Sequence, residues 1–142
     1  MPGEPSFTTW SLDIDATDEE ILALASAWIA LLVEHRYDDA LATIGAREHW
    51  TPELLATAIR NYGAIDPMAD GSIYAVTPLA NAVGGLTPRH EVSRYEASAG
   101  ARVGDVWFDV PLNGAWSDLT ITFDLEMRDD RLYLALDDVH VH

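Results

Sequence analysis

Apolar residues recur with a helical period in the first half of this chain and with the period of a strand in the second. Thr17-Asp18-Glu19-Glu20 has the spacing of a capping box, and acids in a first turn favour the positive end of a helix dipole. A helix is therefore predicted to start there and run to about Glu34. Ile21, Leu24, Ala25, Trp28, Leu31 and Leu32 form its apolar stripe, with Leu22, Ile29 and Val33 lying off it. A helix apolar on most sides is expected to be buried on most sides, so other elements should wrap around this one. Tyr37 to Ile44 reads as a second, short helix stopped by Gly45. Thr51-Pro52-Glu53 starts a third, with Thr as cap and Pro at the first helical position. Leu54, Leu55, Ala58, Ile59 and Tyr62 would make its inner face, and Gly63 would end it.

Near residue 70 the period falls to two. Ser72 to Thr77 is predicted as a strand, and residues 78–89, with two prolines and Gly84-Gly85, as a long loop. Strands follow at about 90–97, 103–110, 116–127 and 132–141. The third of these is the clearest: Leu119, Ile121, Phe123, Leu125 and Met127 alternate with Asp118, Thr120, Thr122, Asp124 and Glu126. Asn113-Gly114 before it is a hairpin turn. In the last strand Leu132, Leu134 and Leu136 share one face, while Val139 and Val141 fall in the other register. That slip predicts a β-bulge at Asp137-Asp138. Ahead of the first helix, Trp10, Leu12 and Ile14 alternate with polar neighbours, as a short strand or extended arm would.

Helices followed by an antiparallel meander give an α+β fold, with N-terminal helices packed on a curved antiparallel sheet. Residues 1–16 would be an N-terminal arm and residues 17–142 a single domain. The order of the Ile21–Val33 helix, the short Asp38–Ile44 helix and the strands after residue 72 resembles the NTF2-like cone, also called cystatin-like. The resemblance is one of pattern over most of the chain. It implies a pocket between helix and sheet, of the kind that superfamily's isomerases and dehydratases line with Asp, His and Tyr. The stretch Pro111-Leu112-Asn113-Gly114-Ala115-Trp116-Ser117-Asp118-Leu119-Thr120 also resembles a segment of an uncharacterised bacterial family, and that likeness carries no activity with it.

Charge narrows the partners. The chain has 142 residues and 24 acids against 8 bases, giving a net charge of −16, and every base is Arg. Nucleic acid and anionic membranes both require a basic footprint, so neither is expected as a partner. Codon bias or a high-salt host would leave the same acidity. Cysteine is absent, which excludes disulfides, thiolate metal sites and Cys nucleophiles. The longest uncharged apolar run, Ile21 to Val33, is thirteen residues, shorter than a bilayer requires. The first twenty residues carry six acids and no base, unlike a secretory leader, so a cytoplasmic protein is expected.

No nucleophile elbow, phosphate loop, dinucleotide fingerprint or zincin motif stands in the sequence. Asp13-x-Asp15-x-Thr17 imitates the start of a calcium loop but has Leu24 where the closing Glu belongs. No cofactor is expected. Asp138, His140 and His142 would point the same way from a strand, a weak candidate for Zn²⁺ or Ni²⁺, since two ligands at a chain end are not a site until a third arrives and a C-terminal strand with exposed histidines has the same pattern. A catalytic pocket in the cone would draw on His90, Tyr95, Asp109 and Asp124, although large apolar side chains are expected to fill that interior. The opposite sheet face is richer. Asp105, Trp107 and Asp109, then Trp116, Asp118, Asp124 and Glu126, then Tyr133 and Asp137, should share one surface of acids and aromatics. Aromatic anchors inside a charged rim suit a protein interface, and clustered carboxylates steer a basic partner. The expectation is a small acidic binding protein, an inhibitor or immunity-type protein against a basic partner such as a nuclease toxin. The alternatives are an NTF2-like ligand-binding protein or acid/base enzyme, and a homodimer formed through the sheet face.

Overall fold

The computed structural model describes residues 10–84 and 87–141, and of residues 97–99 the backbone alone. Helix α1 (Asp18–Val33) starts on the capping box: Thr17 Oγ1 accepts from the Glu20 amide at 3.2 Å, and Glu20 Oε1 accepts from the Thr17 amide at 2.9 Å. Such a cap contributes about 1 kcal/mol. The helix turns Ile21, Ala25, Trp28, Ile29 and Leu32 into the core. It is not wrapped on most sides. Its outer stripe includes Ala23, Ala27 and Ala30, which are exposed. Alanine there is a strong helix former, and it makes the helix read as apolar all round. Helix α2 (Tyr37–Thr43) packs on α1, and α3 (Pro52–Arg60) packs on α2, with Thr51 Oγ1 capping the Leu54 amide.

The three helices lie against a strongly curled sheet, half of a barrel. Four strands, β3 (His90–Ala99), β4 (Arg102–Leu112), β5 (Ala115–Arg128) and β6 (Arg131–Val141), form consecutive antiparallel hairpins. Two short strands add to the far edge of β6. Leu12–Asp13 (β1) pairs antiparallel and Gly45–Ala46 (β2) pairs parallel. The sheet order is β1-β6-β5-β4-β3, with β2 off that path. Asn113 and Gly114 both have positive φ, as do Asp129 and Asp130, so each tight turn matches the right-handed twist of its strands. The bulge in β6 is present. Thr122 faces Asp138 while Phe123 faces Leu136, which leaves Asp137 as the extra residue.

Ser72 to Thr77 is not a strand. Val76 alone bridges to Leu112. Around that bridge the Ala75 carbonyl accepts from the Asn113 amide at 2.9 Å, and the Thr77 amide donates to the Pro111 carbonyl at 3.2 Å. Further pairing stops because Asn113 Nδ2 donates to the Ile73 carbonyl at 3.1 Å, Asn113 Oδ1 accepts from the Ala75 amide at 3.0 Å and the Tyr74 amide turns to the Arg60 carbonyl. Within the loop that follows, Leu79–Asn81 makes a 3-10 turn.

The core lies between α1 and the concave sheet face. Trp28, Phe108 and Phe123 are fully buried there, with Ile121, Leu125 and Leu134. The Trp28 ring meets Phe123 edge-on at 5.4 Å, and its Nε1 donates to the Ala40 carbonyl at 2.7 Å. One side chain thus ties α1 to both α2 and β5. Among the described residues, no helix is long and apolar enough to cross a membrane.

Candidate functional site

The side chains that alternate with the core residues form the convex face of β3–β6, and no helix packs there. Asp105 faces Asp124, Trp107 faces Thr122 and Asp109 faces Thr120 across the β4–β5 ladder. Thr122 and Thr120 in turn face Asp138 and His140 on β6. Thr120 and Thr122 are buried, and their hydroxyls donate to Asp109 at 2.7 Å and Asp137 at 3.1 Å. Trp107 carries Arg89 over its ring at 4.4 Å and meets His140 edge-on at 5.9 Å. Arg128 lies over the Tyr133 ring at 4.2 Å, beside Glu126. The face is a mosaic of Trp, Tyr, Arg and His on a bed of threonines, ringed by exposed Glu91 and Asp138.

Two positions expected on this face are elsewhere. The Trp116 ring packs against His90 at 5.6 Å, and His90 stacks on the buried Phe108 at 3.8 Å. Trp116 is therefore on the core side. Asp118 accepts a hydrogen bond from the Tyr62 hydroxyl, just past α3, and that bond is the main reason the Tyr62 hydroxyl is pushed up to about 12. The cause is a break in alternation. Between the Asp109–Thr120 and Pro111–Trp116 pairs, β5 carries two more residues than β4. Ser117 Oγ fills the gap, donating to the Val110 carbonyl at 2.7 Å and accepting from the Leu119 amide at 3.1 Å.

The remaining acids are partly neutralised within the chain. Asp124 is buried, with Arg47 at 3.2 Å on one oxygen and Arg102 at 3.1 Å on the other. Burial dominates and holds its carboxyl above the ordinary aspartate range; the arginines pull the other way. Asp105 accepts from the Tyr95 hydroxyl and from Arg102, each at 2.9 Å. The Tyr95 hydroxyl is raised by desolvation first and by Asp105 second. Arg47 also donates to Asp137 at 2.5 Å, and Trp50 Nε1 donates to the Asp137 carbonyl at 3.0 Å, so the bulge anchors the segment after β2. Asp109 is structural as well. It accepts from the Arg89 amide at 2.8 Å and from Thr120 Oγ1 at 2.7 Å, pinning the end of the long loop. Sequence reasoning missed Arg47, Arg89 and Arg102, whose position over the acids is set by tertiary pairing.

The four residues of the catalytic alternative do not converge. His90 is on the concave side, while Tyr95, Asp109 and Asp124 are on the convex side. The concave side between them is packed by Phe108, Phe123 and Trp28. Of the weak metal candidate, Asp138 Oδ2 is 3.3 Å from His140 Nδ1, and His142 lies outside the described residues. Among the described residues, no group of three or more His, Cys, Asp or Glu side chains is placed to hold a metal. Comparison of the chain with protein-family models, with curated proteins and with solved structures found no match.

Proposed function

We propose that this chain is a protein-binding domain that docks a basic protein through the convex face of β3–β6, with Trp107 as anchor. The observation that carries the reading is that mosaic: the half-buried rings of Trp107 and Tyr133, each with an exposed arginine laid over it, on a sheet face where the segment holding Arg47 and Trp50 reaches only the Asp124 and Asp137 side. Trp, Tyr and Arg are the residues that dominate binding hot spots, and a sheet presents them with little entropy to lose. Seven acids, Glu91, Asp105, Asp109, Asp124, Glu126, Asp137 and Asp138, outnumber the face's four arginines, Arg47, Arg89, Arg102 and Arg128. With the net charge of −16, that favours a cationic partner such as a nuclease toxin. An inhibitor or immunity-type role in a bacterial cytoplasm fits this chemistry. Kinship with NTF2-like cones fits the order of helices and strands and belongs to the same proposal.

The test uses the exposed residues of the face, since Asp118 and Asp124 are engaged inside the protein. Partners captured on the wild-type chain are compared with those on Trp107→Ala. The identified partner's association rate is then measured at about 0.05 and 0.5 M salt, where screening of surface charge differs strongly. A basic protein that is lost with Trp107→Ala, and whose on-rate falls with salt, is the expected result. Equal capture by both chains would remove the face from the proposal.

A further inference from the structure

The other striking asymmetry of charge lies in the helical layer. Among the described residues, seven of the eight arginines have a carboxylate within 4.0 Å: Arg36, Arg47, Arg89, Arg94, Arg102, Arg128 and Arg131. Arg60, in the last turn of α3, has none, in a chain with 24 acids. Arg60 lines a hollow of about 400 Å³, together with His35, Tyr37, Ile73, Tyr74 and Asn113. That volume is within the range of small-molecule sites, about 300–1,000 Å³.

The hollow lies where three chain turns meet: His35 ends α1, Tyr62 ends α3 and Asn113 opens the β4–β5 turn. Five described residues other than glycine have positive φ; two form the Asp129-Asp130 turn. The other three surround this hollow. His35 (φ 57°) and Asn113 (φ 53°) line it, and Tyr62 (φ 58°) stacks on Tyr74 at 5.0 Å. The same Asn113 that keeps residues 73–75 out of the sheet fixes this wall.

We propose that the hollow binds a small organic monocarboxylate, with Arg60 taking the carboxylate and Tyr74 and Ile73 packing on its apolar or aromatic body. Ile73 is 68% exposed, and covering its side chain is favourable, so an apolar ligand has surface to cover. Tyr37 is the second polar contact. Its hydroxyl lies 3.1 Å from His35 Nδ1, and when that nitrogen carries the proton the Tyr37 O–H is free to donate to the ligand. An adjoining hollow behind His35 and Tyr37 is lined by Asp38, Asp39 and Glu53 with Arg36, which pairs with Asp39, and the remaining excess of acid disfavours phosphates and dicarboxylates. The site uses neither the convex face nor its aromatics.

The experiment is amide-detected NMR titration of the full chain with phenylacetate, hexanoate and indole-3-acetate, alongside phenylacetamide and inorganic phosphate. Saturable shifts at residues 35–37, 60 and 73–75 are expected with at least one monocarboxylate. Binding should weaken at least tenfold in Arg60→Gln and for the neutral amide. Arg60 is exposed at a helix end, so Arg60→Gln should fold, which circular dichroism checks; Tyr37→Phe should weaken binding less. No saturable shift with any of the three acids overturns the proposal, as does equal binding by Arg60→Gln or tighter binding of phosphate.

Discussion

Replacing Trp28 by Ala removes the largest side chain in the core, and the structure sets the size of the penalty. Trp28 is fully buried, packs edge-on against Phe123 at 5.4 Å and donates to the Ala40 carbonyl at 2.7 Å. Truncating a large buried aromatic costs about 3–5 kcal/mol. The Ala40 carbonyl would also lose the indole donor but keep the Thr43 hydroxyl at 3.1 Å, so the lost hydrogen bond adds about 1 kcal/mol. Together these losses come to about 4–6 kcal/mol. Since a domain of this size is typically stable by about 5–15 kcal/mol, the variant should be marginal. Trp28→Phe separates the two effects: it keeps an aromatic ring against Phe123 and should cost roughly 1–3 kcal/mol, from the missing donor and the smaller ring. The assay is urea unfolding followed by far-ultraviolet circular dichroism. An unchanged midpoint for Trp28→Ala would refute the central place of α1. Equal loss in both variants would refute the division between packing and hydrogen bond.

Other consequences follow from single contacts. A Cβ at Gly104 would sit 2.3 Å from the Ser93 carbonyl oxygen, so Gly104→Ala should force β3 away from β4 and cost about 1–3 kcal/mol, read by thermal unfolding and by faster amide exchange in β3. One tyrosine should ionise near 12 in an ultraviolet titration, chiefly through its bond to Asp118, and return toward the ordinary value in Asp118→Ala. Because the Tyr62 value is raised in the folded chain, the stability it confers is complete below the unfolded value and is lost as pH climbs through about 12. Asp124 should titrate above the ordinary aspartate value by carboxyl-carbon NMR, since burial outweighs Arg102 and Arg47. Its stabilising contribution is then present below the unfolded value and lost as pH rises through the folded one; a value below the ordinary range would show that the ion pairs win.

Much of the fold was legible because its signals are local. Thr17 and Glu20 cap α1 as their spacing implied, Thr51 and Pro52 start α3, and Asn113-Gly114 turns β4 into β5. Even the Asp137 bulge left a trace, because the apolar positions change phase across it. The short strand β1 falls within the alternating Trp10, Leu12 and Ile14, whereas β2, two residues that exist through pairing with the distant β6, left no trace. Ser72–Thr77 misled for a related reason: only Val76 pairs with the end of β4, and the Asn113 side chain and the Arg60 carbonyl take up groups at residues 73–75 that a longer ladder would use. The candidate face was legible as far as alternation held, which placed Asp105, Trp107, Asp109, Asp124, Glu126 and Tyr133 on one side. It failed at Trp116 and Asp118, where two extra residues in β5 break the period, and alternation carries no information on which arginines fold over the acids.

The proposed role stands or falls on where a partner touches. Hydrogen exchange of the chain, free and bound to the basic protein it captures, measures that directly. Protection is expected across β4, β5 and β6 around Trp107, His140 and Tyr133, with Glu91→Gln plus Asp138→Asn slowing association several-fold at low salt and little at high salt. Protection confined to α1, α2 and α3, or found equally when the chain pairs with its own copy alone, would contradict the account.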